Sequence, residues 1–363
     1  MLASIRLQYW PLNARNIARN TVHRCVKCFR MKPTVVQPIM GNLPRDRVEA
    51  QSRAFKICGV DFAGPIMVKQ SLRRNAPATK GYACIFVCFA TKAVHIEVVI
   101  DLSTKSFLNA LSRFFDRRGK CATIYSDNAT NFVGANRYLK EVYQLFQVQK
   151  HQEIIKSGLA KIGVQWKFIP PRSPHFGGLW EAAVKSMKSL LRSVLCESYL
   201  TYEELCTILT RVEACLNSRP LTALSSDPSD LLYITPAHFL IGDSLMSIPE
   251  RDETNTPVNR LDRWRRVQQF SQILWKRWSR EYLHQLQERS KWASEKGPKV
   301  DVGSVVLISE DNLPPLRWKI GRVREVTRGN DNIIRTAVVK TADGELTRAV
   351  RKLCPLPFEG NDG

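Results

Sequence analysis

The sequence predicts a mixed α/β domain, preceded by a short helical segment and followed by a small all-β module. Three observations carry that expectation. Short β-rich runs alternate with stretches of helical periodicity across residues 51–240, which implies a mixed sheet flanked by helices. A long helix-prone stretch rich in Trp and Arg comes next over 259–295, and strand-and-turn patterning over 300–357 fits a small β-barrel. At 363 residues with 44% apolar content, the chain is long and apolar enough for more than one globular domain.

Residues 1–33 are basic, helix-prone and end in Cys25-Val26-Lys27-Cys28. Residues 34–50 hold Pro38 and Pro44, with Pro33 just before them, and read as an extended linker. Phe55–Phe62 is a strand expected to stop at Gly64-Pro65, with Asp61 on the same side as Phe55 and Ile57. Tyr82–Ala90 and Val94–Ile100 form a hairpin across Thr91-Lys92-Ala93. Ser103 caps a helix reaching Phe115, and Ala122–Ser126 is a short buried strand. Tyr138–Leu159 is helical and Val164–Ile169 is a strand ended by Pro170-Pro171. Gly178–Val194 and Thr201–Asn217 are helices. In the C-terminal module the runs 302–309, 319–326, 334–341 and 346–350 are strands.

The net charge is +22. A folded chain this basic calls for a polyanionic partner, with nucleic acid the leading expectation over an anionic membrane surface. No apolar run approaches the ~18 residues that span a bilayer. The N-terminal run has Arg6 and Gln8 where a signal peptide needs an apolar block. An intracellular protein with free thiols is expected, and Cys58, Cys84, Cys88 and Cys215, all in apolar runs, read as small core residues.

Within the α/β region three acids stand at places where chemistry is exposed. Asp61 lies in an apolar strand and Asp127 directly follows one. Each alone also reads as a turn residue. Glu181 opens a helix on which Glu181, Lys185, Lys188 and Arg192 share one face, while Val184, Met187, Leu191 and Val194 form a separate apolar stripe. A Glu–Lys helix pairing accounts for Glu181 and Lys185 but not for the whole stripe. A few carboxylates holding two metal ions serve phosphoryl transfer, and an all-oxygen set suits Mg²⁺ or Mn²⁺.

At these residues the chain resembles the integrases of long-terminal-repeat retrotransposons, most closely the BEL/Pao group. The runs that carry the resemblance are VDFAGP, SDNATNF, IPPRSPHFGGLWEAAVKSMK, LNSRPLT, ITPAHFLIG and VGSVVLISEDNLPPLRWKIGRVREV. The resemblance implies a ribonuclease-H-like catalytic core over 51–240 and a C-terminal β-barrel that binds nucleic acid. It also implies that Asp61, Asp127 and Glu181 are catalytic ligands of two Mg²⁺ or Mn²⁺ ions, and that element ends are processed and joined to target DNA. A homo-multimer and a nuclear location with cytoplasmic assembly are implied by the same resemblance. The 53 residues between Asp127 and Glu181 match the long interval of the BEL/Pao group.

Lys185, Lys188, Arg192, Asn128 and Arg172 are then candidate nucleic-acid contacts, with Asn131 and His175 beside them. Basic residues of the C-terminal module, with Trp318 as a stacking surface, extend the expected interface. Trp264, Trp275 and Trp278 are expected to pack rather than stack on bases. Cys25 and Cys28 resemble half of the family's zinc domain, but zinc is not expected to bind, because the paired histidines of that domain would lie upstream of residue 1. A truncated copy or a fragment of a longer reading frame is the corresponding expectation. Ala129 stands where the family has Gly. With the incomplete zinc half it motivates the alternative, a catalytically silent or domesticated integrase-derived DNA-binding protein.

Overall fold

The computed structural model describes residues 9, 12–26, 45–48, 53–73, 75–148, 163–169, 178–194, 199–224, 230–287, 300–310, 313–329 and 334–356. The chain divides into two compact units, Met1–Pro44 and Arg45–Gly363. In the first, α1 (Ala14–Arg24) starts after Asn13, whose backbone carbonyl accepts from the Asn16 and Ile17 amides and whose side chain accepts from Asn16 Nδ2. Cys25, just past the helix, is half-buried, while Cys28 lies outside the described residues.

The second unit begins with the single turn α2 (Arg45–Val48) and the strands β1 (Ile57–Lys69), β2 (Ala78–Cys88) and β3 (Val94–Val99). Next come α3 (Thr104–Arg118), β4 (Thr123–Ser126), α4 (Thr130–Val148) and β5 (Gln165–Phe168). After these stand α5 (Gly178–Val194), β6 (Leu200–Thr201) and α6 (Tyr202–Asn217). The strands form one mixed sheet in the order β3-β2-β1-β4-β5, with β6 beside the end of β1. β2 is antiparallel to both its neighbours, whereas β4 runs parallel to β1 and to β5. This is the mixed α/β class read from the sequence.

The pleat divides the core in two. Cys58, Val60, Cys84, Phe86 and Cys88 face α3 and α4, where Phe86 stacks on Phe114 at 4.1 Å. Ile57, Ala63, Ile85 and Val87 face Val184, Met187, Leu190 and Leu191 of α5, together with α6. The cysteines expected in the core are buried free thiols, Cys215 among them.

Some boundaries differ from the sequence expectation. β1 does not stop at Gly64-Pro65. It absorbs a bulge between Ala63 and Ile66 and pairs with β2 as far as Lys69, so the sheet tolerates the proline where the ladder is interrupted. Phe55 is not on the Asp61 side. It sits before the strand with φ 58° and is buried against Phe114 on the opposite face. α4 starts at Thr130, eight residues before the expected Tyr138, because the chain turns into helix directly after Asp127. The Ser103 cap was legible, as its side chain accepts from the Ser106 amide; Thr201, read as the first helical residue, is instead the cap, in a reciprocal capping box with Glu204.

A two-stranded ribbon of β7 (Thr222–Ala223) and β8 (Tyr233–Ile234) and the short α7 (His238–Ile241) lead to α8 (Arg263–Leu286). α8 is capped by Asp262, so it starts later than residue 259. The C-terminal strands β9 (Val305–Ile308), β10 (Ile320–Arg328), β11 (Ile334–Thr341), β12 (Gly344–Ala349) and β13 (Leu353–Pro355) form an antiparallel sheet in the order β12-β11-β10-β9-β13. The short β13, with Pro355 at its end, escaped the periodicity reading. No helix among the described residues is long and apolar enough to cross a membrane.

Candidate metal and nucleic-acid site

β1 and β4 place the first two acids. Ile57, Cys58 and Gly59 pair in parallel with Thr123, Ile124 and Tyr125. Two residues beyond the last pair on each strand stand Asp61 and Asp127. The parallel ladder stops before both, so the register brings the two acids to the same end of adjacent strands. Asp61 continues the face of β1 that carries Ile57 and Ala63, on which α5 packs through Val184, Met187, Leu190 and Leu191, while Asp127 directly follows the end of β4. Glu181 precedes Val184 by one turn of the same helix. All three acids thus belong to elements meeting on one side of the sheet. The Glu181 side chain lies outside the described residues, as does that of Arg192.

The two aspartates are half-buried. Asp61 Oδ1 accepts from the Phe62 amide at 2.7 Å. Asp127 Oδ1 accepts from the Ala129 amide at 3.0 Å, an Asx-turn that launches α4. The turn reading of Asp127 is therefore real, and it occupies one oxygen, leaving the residue's second oxygen for another task. The Asp61 charge also reaches the buried Cys84 thiol, whose pKa is pushed up by burial first and then by Glu97 and Asp61. No cluster of three metal-binding side chains occurs among the described residues, a set that lacks the Glu181 carboxylate.

The other candidates separate. Lys185 is exposed and Lys188 half-buried on α5. Asn128 donates from Nδ2 to the Ile169 carbonyl at 2.8 Å, tying the end of β4 to the end of β5. Asn131 is buried, and its side chain accepts from the Phe132 amide at the start of α4, so it serves the turn. The Ala129 methyl packs against the α3/α4 core. Arg172 and His175 lie outside the described residues.

Trp318 is not a stacking surface. It is buried, edge-on to Trp275 at 5.0 Å and Tyr282 at 5.4 Å. Trp275 and Trp278 are buried as expected, but Trp264 is 64% exposed. The basic residues of the C-terminal sheet are also less available than their number suggests. Glu310 takes Lys319 and Arg348, Glu345 takes Arg324, and Arg322 is buried against the Gly303 and Asp230 carbonyls.

Sequence reasoning missed two constructions. The first is ionic. His95 and Glu97 are buried in β3, with His95 Nε2 3.0 Å from Glu97 Oε1 and Nδ1 3.5 Å from Glu213 Oε2. Arg113, Arg117 and Arg118 close the cluster at 2.6–2.7 Å from these carboxylates. Two ionisable residues spaced by two in an apolar strand were the available signal. The second is the LNSRP run. Asn217 Oδ1 accepts from the Val94 amide and Nδ2 donates to the Val94 carbonyl, each at 2.8 Å. Ser218 Oγ accepts from Trp318 Nε1, Arg219 donates to the Lys92 carbonyl, and the Pro220 carbonyl accepts from the Tyr282 hydroxyl. This short run thus joins the sheet edge, α8 and the C-terminal sheet.

Residues 262–356 match a family described only as of unknown function (DUF5641). No curated protein matches the chain. Among solved structures, the chain is similar to a chain of the cryo-EM structure of the simian T-cell lymphotropic virus intasome in complex with the PP2A regulatory subunit B56 gamma. The identity is 13% and the TM-score 0.35, covering 99% of this chain and 96% of that one. At that distance the likeness assigns neither fold nor function to this chain.

Proposed function

We propose that the chain is an integrase-type polynucleotidyl transferase that processes and joins DNA ends. The observation that carries this is the register of β1 and β4. It carries Asp61 and the residue before Asp127 to the same end of adjacent strands, and the helix bearing Glu181 packs on the Ile57 face of β1, which supports a shared site for the three acids. Carboxylates brought together at one site would repel one another unless cations lay between them. The donor set is all oxygen, which fits Mg²⁺ or Mn²⁺ and not zinc. Asp61, Asp127 and Glu181 would together hold such ions. When bound, the ions would lower the barrier to phosphoryl transfer by favouring the attacking and departing oxygens.

The chain's own groups do the rest. Lys185, exposed on α5 one turn past Glu181, and Lys188 would hold phosphates without reading sequence. The Ala129 amide fixes Asp127, and Asn128 fixes the loop beside it. A net charge of +22 supplies the field that collects a polyanion. Joining at two target positions implies a multimer, and a DNA substrate implies a nuclear site of action.

The test is joining of a recessed 3′ DNA end to a plasmid by the full chain with Mn²⁺ or Mg²⁺. Wild-type joining, abolished in Asp61→Asn and Glu181→Gln, supports the assignment. Salt-sensitive DNA binding without joining in any metal would replace it with the silent DNA-binding reading.

A further inference from the structure

Several half-buried cations of this fold are met by carboxylates. Arg118 lies against Glu213, Arg211 against Glu250 and Lys167 against Asp46, at 2.6–2.7 Å. Arg47, Lys92 and Arg219 are half-buried as well. Among the described residues none of these three pairs with a carboxylate. Lys92 Nζ donates to the Phe89 carbonyl at 2.8 Å, and Arg219 donates to the Leu216 and Lys92 carbonyls. A neutral carbonyl satisfies a donor but leaves the charge uncompensated.

The three charges also stand together. The Lys92 carbonyl is 2.8 Å from Arg219 Nη2. Phe89, which accepts from Lys92 Nζ, stacks on Tyr125 at 4.8 Å, and the Tyr125 hydroxyl donates to Asp46, the residue before Arg47. Lys92 is held below its ordinary pKa, by burial first and then by the Arg47 charge, with Arg219 acting in the same sense. Like charges gathered in a half-buried place repel unless an anion joins them. The arrangement is fixed in advance. Bonds from the Cys88 amide to the Ala93 carbonyl and from the Ala93 amide to Thr91 Oγ1 close the turn that carries Lys92, whose φ is 59°. Asn217 clamps the run that carries Arg219 to Val94. Each cation keeps donors beyond these bonds.

We propose that Arg47, Lys92 and Arg219 form a binding site for a phosphate group. Guanidinium and ammonium donors from three separate segments suit its several anionic oxygens, and such charge-assisted hydrogen bonds are the strong ones. The site lies apart from the acids. The Phe89 amide bonds the Ile57 carbonyl at the start of β1, four residues and about 13 Å of strand before Asp61. Arg219 thereby gains a binding role beside the structural role of Asn217. The phosphate belongs either to a nucleic-acid backbone or to a free phosphate compound. The site stands independently of the acid pair.

The experiment follows the melting temperature of the full chain as inorganic phosphate replaces chloride at constant ionic strength. The expected result is a saturable rise at millimolar phosphate, with the affinity weakened on the order of tenfold or more in Arg47→Gln and comparably in Lys92→Gln. In chloride alone the urea midpoint of Arg47→Gln should equal or exceed that of the wild type, because a repulsion has been removed. A merely structural arginine would lower it. Duplex binding then tells the two sources apart. If both variants reduce the slope of log K against log salt by about 0.9, the phosphate is that of a nucleic-acid backbone; an unchanged slope assigns a free phosphate compound. No saturable rise, a rise undiminished in both variants, as general salt exclusion would give, or a lowered midpoint for Arg47→Gln in chloride overturns the proposal.

Discussion

Replacing Asn217 by Ala tests whether the LNSRP run is a structural junction. Asn217 is 1% exposed and reaches β3 across 123 residues of chain. β3 is the edge of the sheet, and its outward backbone groups are met by side chains. Val94 is met by Asn217, the Ile96 amide by Glu213 and the Val98 carbonyl by Arg113. An edge covered in this way is closed to pairing with another chain. Truncation to Ala leaves the Val94 N–H and C=O buried without partners. Each orphaned group costs ~1–3 kcal/mol, so the loss is about 2–5 kcal/mol after local relaxation. That corresponds to a fall in Tm of roughly 3–7 °C for a unit of this size. Urea unfolding followed by tryptophan emission gives the free energy, and hydrogen exchange of the Val94 amide reports the site itself. A loss below ~0.5 kcal/mol, with the Val94 amide still protected, would refute the reasoning.

Three other perturbations have definite expected outcomes. Burial pulls the His95 pKa down, but the bonds to Glu213 and Glu97 outweigh it and hold the pKa above its ordinary 6.5. The stabilisation is complete below that value and is lost as pH rises through the raised one. Glu97 has the opposite sense: burial raises its pKa, the bonds from His95 and Arg113 overcome this, and its contribution is lost as pH falls below the ordinary 4.5. Stability measured by urea midpoint should therefore slope down on the alkaline side, and His95→Gln should flatten that slope; an unchanged slope contradicts the cluster. Trp318→Ala, emptying the space beside Trp275 and Tyr282, should cost ~3–5 kcal/mol in chemical unfolding, whereas a Trp318 that served as an exposed stacking platform would cost little. Lys185→Ala should weaken duplex binding uniformly across sequences and reduce the slope of log K against log salt by about 0.9, as read by fluorescence anisotropy; an unchanged slope removes Lys185 from the interface.

What the sequence disclosed came from periodicity and caps. The apolar stripe of α5 was visible because Val184, Met187 and Leu191 repeat at helical spacing, and all three are buried. Ser103 announced its helix by side-chain chemistry that is local by nature. The failures share a cause, which is partnership over distance. Nothing near Gly64-Pro65 shows that β2 is long enough to carry β1 across a bulge to Lys69. Nothing in the C-terminal run shows that Trp318 is taken by Trp275 and Tyr282 of α8, or that Glu310 neutralises two of the basic residues counted as interface. The acid pair was half legible. Asp61 and Asp127 were singled out by their places in and directly after apolar strands, but that these strands lie side by side in parallel is a property of the register between β1 and β4. Asn217 and Arg219 were recognised only as part of a motif, and their work became visible with Val94 and Lys92 opposite them.

The central claim is that Asp61, Asp127 and Glu181 share hard cations. Electron paramagnetic resonance of Mn²⁺ titrated into the full chain measures it without DNA or turnover. Saturable binding that is lost in Asp61→Asn, and weakened in Asp127→Asn and in Glu181→Gln with folding intact, is the predicted result. Binding that ignores all three substitutions, or no binding by the wild type, would contradict the account.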